Sequence, residues 1–292
     1  MNDRTSPQDL RERRLVEEVV ASFGATADPR VRTVLTALVE HLHAFLREVR
    51  LTQGEWQQAI DFLTAAGHIT DDKRQEFILL SDVLGASMQT IIINDDPTGA
   101  ATEATVVGPF FLDDAPLVPL GGDISFGASG EPCWVEGTVT DTSGRPLAGA
   151  RLEVWEADDD GRYDVQYPDG RVAARGRLFT DADGGYRFWA VTPTPYPIPD
   201  DGPVGALLAA TGRSPMRAPH LHFMASHEGM RTLATHIFVA GDDLGSDSVF
   251  GIRESLVVDF PRHAGDEPTP DGRQVTGSWT RARFDITLSP AS

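Results

Sequence analysis

Near residue 100 the period of the hydrophobic pattern changes, and that change sets the fold class. Before it, apolar residues recur every three or four positions; after it, they alternate. Between Pro29 and Val49 the residues Val31, Val34, Leu35, Leu38, Val39, Leu42 and Leu46 fall on one helical stripe. Asp28 followed by Pro29 offers an N-cap and a first-turn proline. Thr52-Gln53-Gly54-Glu55 has capping-box spacing ahead of Trp56, Ile60 and Leu63. Thr70-Asp71-Asp72 opens a further helix through Phe77, Ile78, Leu79, Val83 and Met88, ended by Pro97-Thr98-Gly99. Ile91-Ile92-Ile93 suits a helix or a strand equally.

Beyond residue 100, Trp134–Thr140 and Ala150–Trp155 alternate as strands. Asp141-Thr142-Ser143-Gly144 and Asp181-Ala182-Asp183-Gly184-Gly185 are turns, the second leading into Tyr186-Arg187-Phe188-Trp189. Short strands at this spacing predict an antiparallel sandwich or barrel. Pro193, Pro195, Pro197, Pro199, Pro203 and Pro215 predict a long loop with little regular structure over 190–219. Long loops in compact domains are usually functional. The expected architecture is α+β: a helical N-terminal domain over 1–104 and a C-terminal antiparallel β-sandwich over 105–292.

Composition narrows the partners. With 44 acidic against 25 basic residues the net charge is −19, which repels nucleic acid and anionic membranes. A local arginine can still draw in a small anion. The lone Cys133 excludes an intramolecular disulfide and a cysteine-built zinc or iron–sulfur site. The first seven residues lack the apolar stretch of a secretory signal, and no window is long and apolar enough for a membrane span. A cytoplasmic setting is expected.

The sharpest chemical feature is Pro219-His220-Leu221-His222-Phe223. On a strand, residues i and i+2 share a face, so two imidazoles stand side by side with Leu221 opposite. That is a metal half-site, but two ordinary hydrogen-bonded histidines would read the same way. Tyr163 follows a turn, and Tyr196 lies in the proline-rich loop. Each is a candidate ligand, or else a surface aromatic packed on prolines. Tyr186, on a hairpin strand, reads as structural; Tyr167 is open. Arg217, three residues before His220, stays charged at any working pH. It can stabilise negative charge developing on a substrate, or simply offset the acidic excess.

The order Tyr163, Tyr196, Arg217, His220, His222 resembles that of the intradiol ring-cleavage dioxygenases. Further matches are Glu103–Phe110, Pro146–Ala150, Glu153–Ala157 and Arg177–Asp181. Within the family the sequence is most similar to the hydroxyquinol-cleaving branch. The matching segments are Asp158–Tyr167, Pro195–Gly205, Phe77–Gly85 and Thr235–Val239, with His236 where catechol-cleaving members carry glutamine.

The resemblance implies one non-haem Fe(III) per subunit, held by Tyr163, Tyr196, His220 and His222. It makes Tyr196 also a proton acceptor and Arg217 the stabiliser of a carbanion-like ring. It implies an aromatic diol or triol and O2 as substrates, with hydroxyquinol first and catechol or a chlorocatechol as the alternative. Leu79, Asp82, Val107, Gly108, Pro109, Phe110, Ile198, Pro199, Arg217 and His236 then form the substrate pocket, Asp82 facing the third hydroxyl. It further implies a homodimer through the N-terminal helices with a lipid enclosed there. Two readings of another class are a non-catalytic sandwich that binds a ligand, and a zinc hydrolase built on His220 and His222.

Overall fold

The computed structural model describes residues 6–71, 74–241, 244–245 and 247–291. By its contacts the chain divides into two compact units, Met1–Ala65 and Ala66–Ser292. The division falls earlier than the 104/105 boundary read from the sequence. The cause is local: residues 66–104 are tied into the second unit. There, Glu76 accepts a hydrogen bond from the Val204 backbone N–H at 3.0 Å, and the Val83 carbonyl accepts one from Arg213 at 2.6 Å.

The first unit is helical: α1 (Pro7–Ser22), α2 (Pro29–Glu48) and most of α3 (Gln53–Ile69). The expected caps form. Asp28 accepts from the N–H groups of Arg30 and Val31 at 2.7 and 3.2 Å. Thr52 and Glu55 close a reciprocal box. Of the predicted stripe on α2, Val31, Leu38 and Leu42 are exposed by 45, 57 and 48%, while Leu35, Val39 and Leu46 are half-buried.

The second unit opens with α4 (Glu76–Val83) and α5 (Ala86–Asn94). The sequence predicts one helix from Thr70 onward; Asp72 of its proposed cap lies outside the described residues. Gly85, at φ +73°, breaks the run, and the two halves meet at 75°. Ile91–Ile93 resolve as helix. No single helix among the described residues is long and apolar enough to cross a membrane.

Twelve strands follow among the described residues. β1 (Pro132–Asp141) pairs with β4 (Gly185–Val191), β11 (Ser278–Arg283) and β12 (Ile286–Leu288), with β10 (Arg262–Ala264) beyond β11. The second sheet runs β3 (Arg175–Phe179), β2 (Arg151–Trp155), β7 (His220–Ser226), β8 (Leu233–Val239) and β9 (Val257–Val258). Val135, Val139, Leu152, Val154, Phe188, Leu221 and Phe223 pack together in one buried core. Most pairs are antiparallel as expected, but β1–β11, β1–β12 and β8–β9 are parallel. Those partners arrive over long connections, and long connections leave strand direction free.

The stretch 190–219 is less irregular than its prolines suggest. Pro203 occupies the first turn of α6 (Pro203–Ala210), where proline fits a helix. β5 (Tyr196–Pro197) pairs with β6 (Met216–Arg217), setting Tyr196 opposite Arg217.

Candidate metal centre and cavity

β7 is buried on both faces at its start. Leu221 and Phe223 enter the sandwich core, while His220 and His222 point the other way, as the two-residue period requires. Strand register sets Trp155 and His236 on either side of His222. The Trp155 ring stacks on His222 at 4.6 Å between centroids, and the His236 ring lies at 4.1 Å.

Two aromatic residues complete the cluster. The turn before Tyr163 is held by Asp158, whose carboxylate accepts from the N–H groups of Asp160 and Arg162 at 3.0 and 2.9 Å. Gly161 in that turn has φ +74°, and a Cβ there would sit 2.7 Å from Tyr196 Cβ, so only glycine fits. Tyr163 is 1% exposed and stacks on Phe110 at 4.5 Å. Tyr196 is brought in by β5.

Four donor atoms converge. Tyr163 Oη lies 2.8 Å from Tyr196 Oη, 2.9 Å from His222 Nε2 and 3.4 Å from His220 Nε2. Tyr196 Oη is 3.3 Å from His220 Nε2, and the two imidazole Nε2 atoms are 3.2 Å apart. Four points at such spacings have a common centre about 2 Å from each, the length of a metal–nitrogen or metal–oxygen bond. His220 Nδ1 lies 2.6 Å from the Ala218 carbonyl. A carbonyl only accepts, so Nδ1 carries the proton and the Nε2 lone pair faces that centre.

Electrostatics suit a cation. Burial, with the neighbouring Tyr196 oxygen, raises the Tyr163 phenol well above its ordinary value, and burial raises Tyr196 against the pull of Arg217. Burial, with Arg217 nearby, lowers His220 to about 3. Burial and the neighbouring imidazoles drive His222 well below the usual range, and burial with His220 and Arg217 does the same to His236. Without a cation the set is therefore neutral. A metal would bind by displacing the phenolic protons, not imidazole ones.

A second grouping joins His220, His222 and His236, whose nitrogens lie within 4.8 Å of one another. It is looser than the tyrosine–histidine set, and His236 Nδ1 is already engaged by Thr105 Oγ1 at 2.6 Å. The tighter set is the better metal site.

The donors open into a cavity of about 420 Å³. Leu79, Asp82, Gly108, Pro109, Phe110, Ile198, Pro199 and Arg217, all expected from sequence, line it together with Tyr163, Tyr196 and His222. Val107 does not; it is 38% exposed, and the alternation of an extended segment puts Val106 on the wall instead. His236 is also absent from the wall, lying fully buried beside His222. Asp82 is 5% exposed, its Oδ1 has no hydrogen-bond partner, and burial raises its pKa against the opposing pull of Ser87 and Arg217. Gly108 has φ +78°, and a Cβ there would meet His222 Cε1 at 3.2 Å.

Arg217 is buried, with Nε 2.7 Å from Asp247 Oδ1. Its own burial works against the charge, but the phenolic oxygen of Tyr196 and the Asp247 carboxylate outweigh it and raise its pKa. Sequence reading missed Asp247, Thr105 and Val106. Asp247 stands in an acidic stretch where nothing local separates it from solvated neighbours. Tyr186, read as structural, donates to the Phe284 carbonyl at 2.5 Å in the core. Tyr167 hydrogen-bonds to Asp158.

Residues 28–102 match the family model described as catechol dioxygenase N terminus, and residues 108–290 match the one described as dioxygenase. The chain is 65% identical to hydroxyquinol 1,2-dioxygenase of Nocardioides simplex, over 98% of each chain. It is 62% identical to the Rhodococcus opacus protein of that name, covering 96% of this chain and 94% of that one. The crystal structure of hydroxyquinol 1,2-dioxygenase from Pseudomonas putida DLL-E4 superposes with TM-score 0.90 at 40% identity, covering 97% of this chain and 99% of the other.

Proposed function

Because the chain belongs to the intradiol ring-cleavage dioxygenase family, we propose that it opens hydroxyquinol between its adjacent hydroxylated carbons, using O2 and a single non-haem iron. The product is 3-hydroxy-cis,cis-muconate, the tautomer of maleylacetate. The observation that carries the reading is the convergence of two phenolic oxygens and two imidazole nitrogens, with Tyr163, Tyr196 and His222 on the wall of the cavity.

Tyr163, Tyr196, His220 and His222 would hold the iron, one per subunit, in the ferric state. Two phenolates offset two of three positive charges and disfavour reduction. Bound ferric iron supplies the Lewis acidity that draws electron density out of a chelated diolate and makes its ring carbon reactive toward O2.

The chain's own groups do the rest. Tyr196, on the short β5 strand, accepts one substrate proton at Oη. Leu79, Pro109, Phe110, Ile198 and Pro199 hold the ring and exclude water. Arg217 Nη2, buried without a partner, donates to the oxygen on which charge builds. Asp82 Oδ1, buried and unpaired, accepts from the third hydroxyl, which catechol lacks.

The exposed part of the α2 stripe fits a homodimer through the N-terminal helices. The buried free Cys133 fits a reducing, cytoplasmic setting.

The test is oxygen uptake by iron-loaded protein with hydroxyquinol and catechol compared. At least a tenfold advantage for hydroxyquinol in kcat/KM, about 1.4 kcal/mol in transition-state binding, is expected. Equal or faster cleavage of catechol would retain ring cleavage and overturn hydroxyquinol as the substrate.

A further inference from the structure

Arg217 is an awkward group to place. A long, flexible cation sits 5% exposed within a neutral set of phenols and imidazoles. Left alone it would turn away toward solvent or toward any nearby acceptor. Nothing on β6 itself fixes its guanidinium; the strand is only Met216–Arg217.

The segment at 247–251 does. Asp247 Oδ1 takes Arg217 Nε at 2.7 Å and the Ala218 N–H at 3.3 Å, while Oδ2 takes the Gly251 N–H at 3.2 Å. The carboxylate is thus held by two backbone groups before it meets the side chain. The segment is itself anchored. Arg213 spans the Val83 carbonyl at 2.6 Å and the Ser248 carbonyl at 3.1 Å, and lies over the Phe250 ring. The Ser248 N–H donates to the Met216 carbonyl at 3.0 Å, so the segment is tied to β6 next to Arg217. With Nε occupied, rotation of the planar fork is restricted, and Nη2 is buried with no hydrogen-bond partner at the cavity that Arg217 lines.

We infer that Asp247 is a positioning residue for ring cleavage: pinned by the Ala218 and Gly251 N–H groups, it holds Arg217 at Nε so that Nη2 faces the reacting oxygen. The inference rests on the ring-cleavage reading, and it goes beyond it by assigning a residue that touches neither substrate nor iron. Asp247 also offsets the Arg217 charge next to the cation site. A carboxylate with this many donors stays ionised; the direction of its shift is downward, Arg217 overcoming the effect of burial.

The test is a double-mutant cycle on the iron-loaded full chain, with Asp247→Ala, Asp247→Asn, Arg217→Ala and the two combinations. Each Asp247 variant is expected to lower kcat for hydroxyquinol about 10- to 100-fold, the usual cost of losing a partner that orients an active group. In the Arg217→Ala background neither is expected to lower it further. Iron content and the anaerobic dissociation constant for hydroxyquinol, read from the visible band of the iron protein, stay at the wild-type values. The unfolding temperature of each metal-free variant separates a fold defect from a catalytic one, and Asp247→Asn preserves the volume should the alanine variant fold poorly. Losses that multiply in the double variants, or loss of iron in Asp247→Asn, would overturn the role. A wild-type protein that cleaves no ring would instead refute the underlying reading.

Discussion

Replacing Gly108 with alanine tests how tightly the backbone is built against the donor set. Gly108 is at φ +78°, where an L side chain costs about 1–2 kcal/mol. For a chain of this size that strain alone lowers the unfolding temperature by about 2–8 °C. The new methyl also stands 3.2 Å from His222 Cε1, tighter than an ordinary contact. The imidazole cannot easily retreat, because Trp155 stacks on it at 4.6 Å and His236 lies at 4.1 Å. A shift of a few tenths of an ångström exceeds the roughly 0.2 Å tolerance of a metal–ligand bond. Iron affinity is therefore expected to fall about 10- to 100-fold. Gly170→Ala is the control: its φ is +66°, with nothing within 4 Å of the added Cβ. Both variants should melt earlier by similar amounts, measured on metal-free protein, and only Gly108→Ala should bind iron more weakly. Equal iron affinity in the two variants would refute the contact argument.

Other outcomes follow from the same geometry. Asp82→Ala should shrink the hydroxyquinol advantage over catechol in kcat/KM by about 10- to 150-fold, the worth of a hydrogen bond to a charged group; an unchanged ratio would place the third hydroxyl elsewhere. The metal-free protein should lose stability as pH falls. Burial depresses His220 to about 3 and His222 and His236 well below the ordinary imidazole value, so the unfolded chain binds the extra protons. The stability they contribute is complete above about pH 6.5 and declines below it by about 1.4 kcal/mol per pH unit for each histidine. Denaturant unfolding between pH 7 and pH 5 reads that slope. His236→Gln should reduce it by one proton, and an unchanged slope would show that His236 is not neutral in the fold.

Much of this was legible in the residues. The caps at Asp28 and Thr52, the period change near residue 100 and the shared face of His220 and His222 all rest on local rules that tertiary packing did not override. What local rules could not supply was mostly nonlocal. Pro203 reads as a loop residue unless the helix after it is seen to pack. The parallel pairing of β1 with β11 and β12 depends on connections too long to carry a direction signal. Val106 and Val107 differ by one step of alternation, which slips easily in an irregular segment. Asp247 acts through a contact with Arg217 thirty positions away in the chain, and no pattern within an acidic stretch marks such a partner. The tyrosines read as candidate ligands only by resemblance; their positions alone favoured surface aromatics packed on prolines.

The proposed site sets two phenolates and two imidazoles on the iron. Its most direct test is the iron content and visible spectrum of the purified protein beside Tyr163→Phe and Tyr196→Phe. One iron per subunit and a wine-red phenolate-to-iron band are expected in the wild type, with iron lost from Tyr163→Phe and the band weakened in Tyr196→Phe. Full iron content and an unchanged band in both variants would overturn this ligand set.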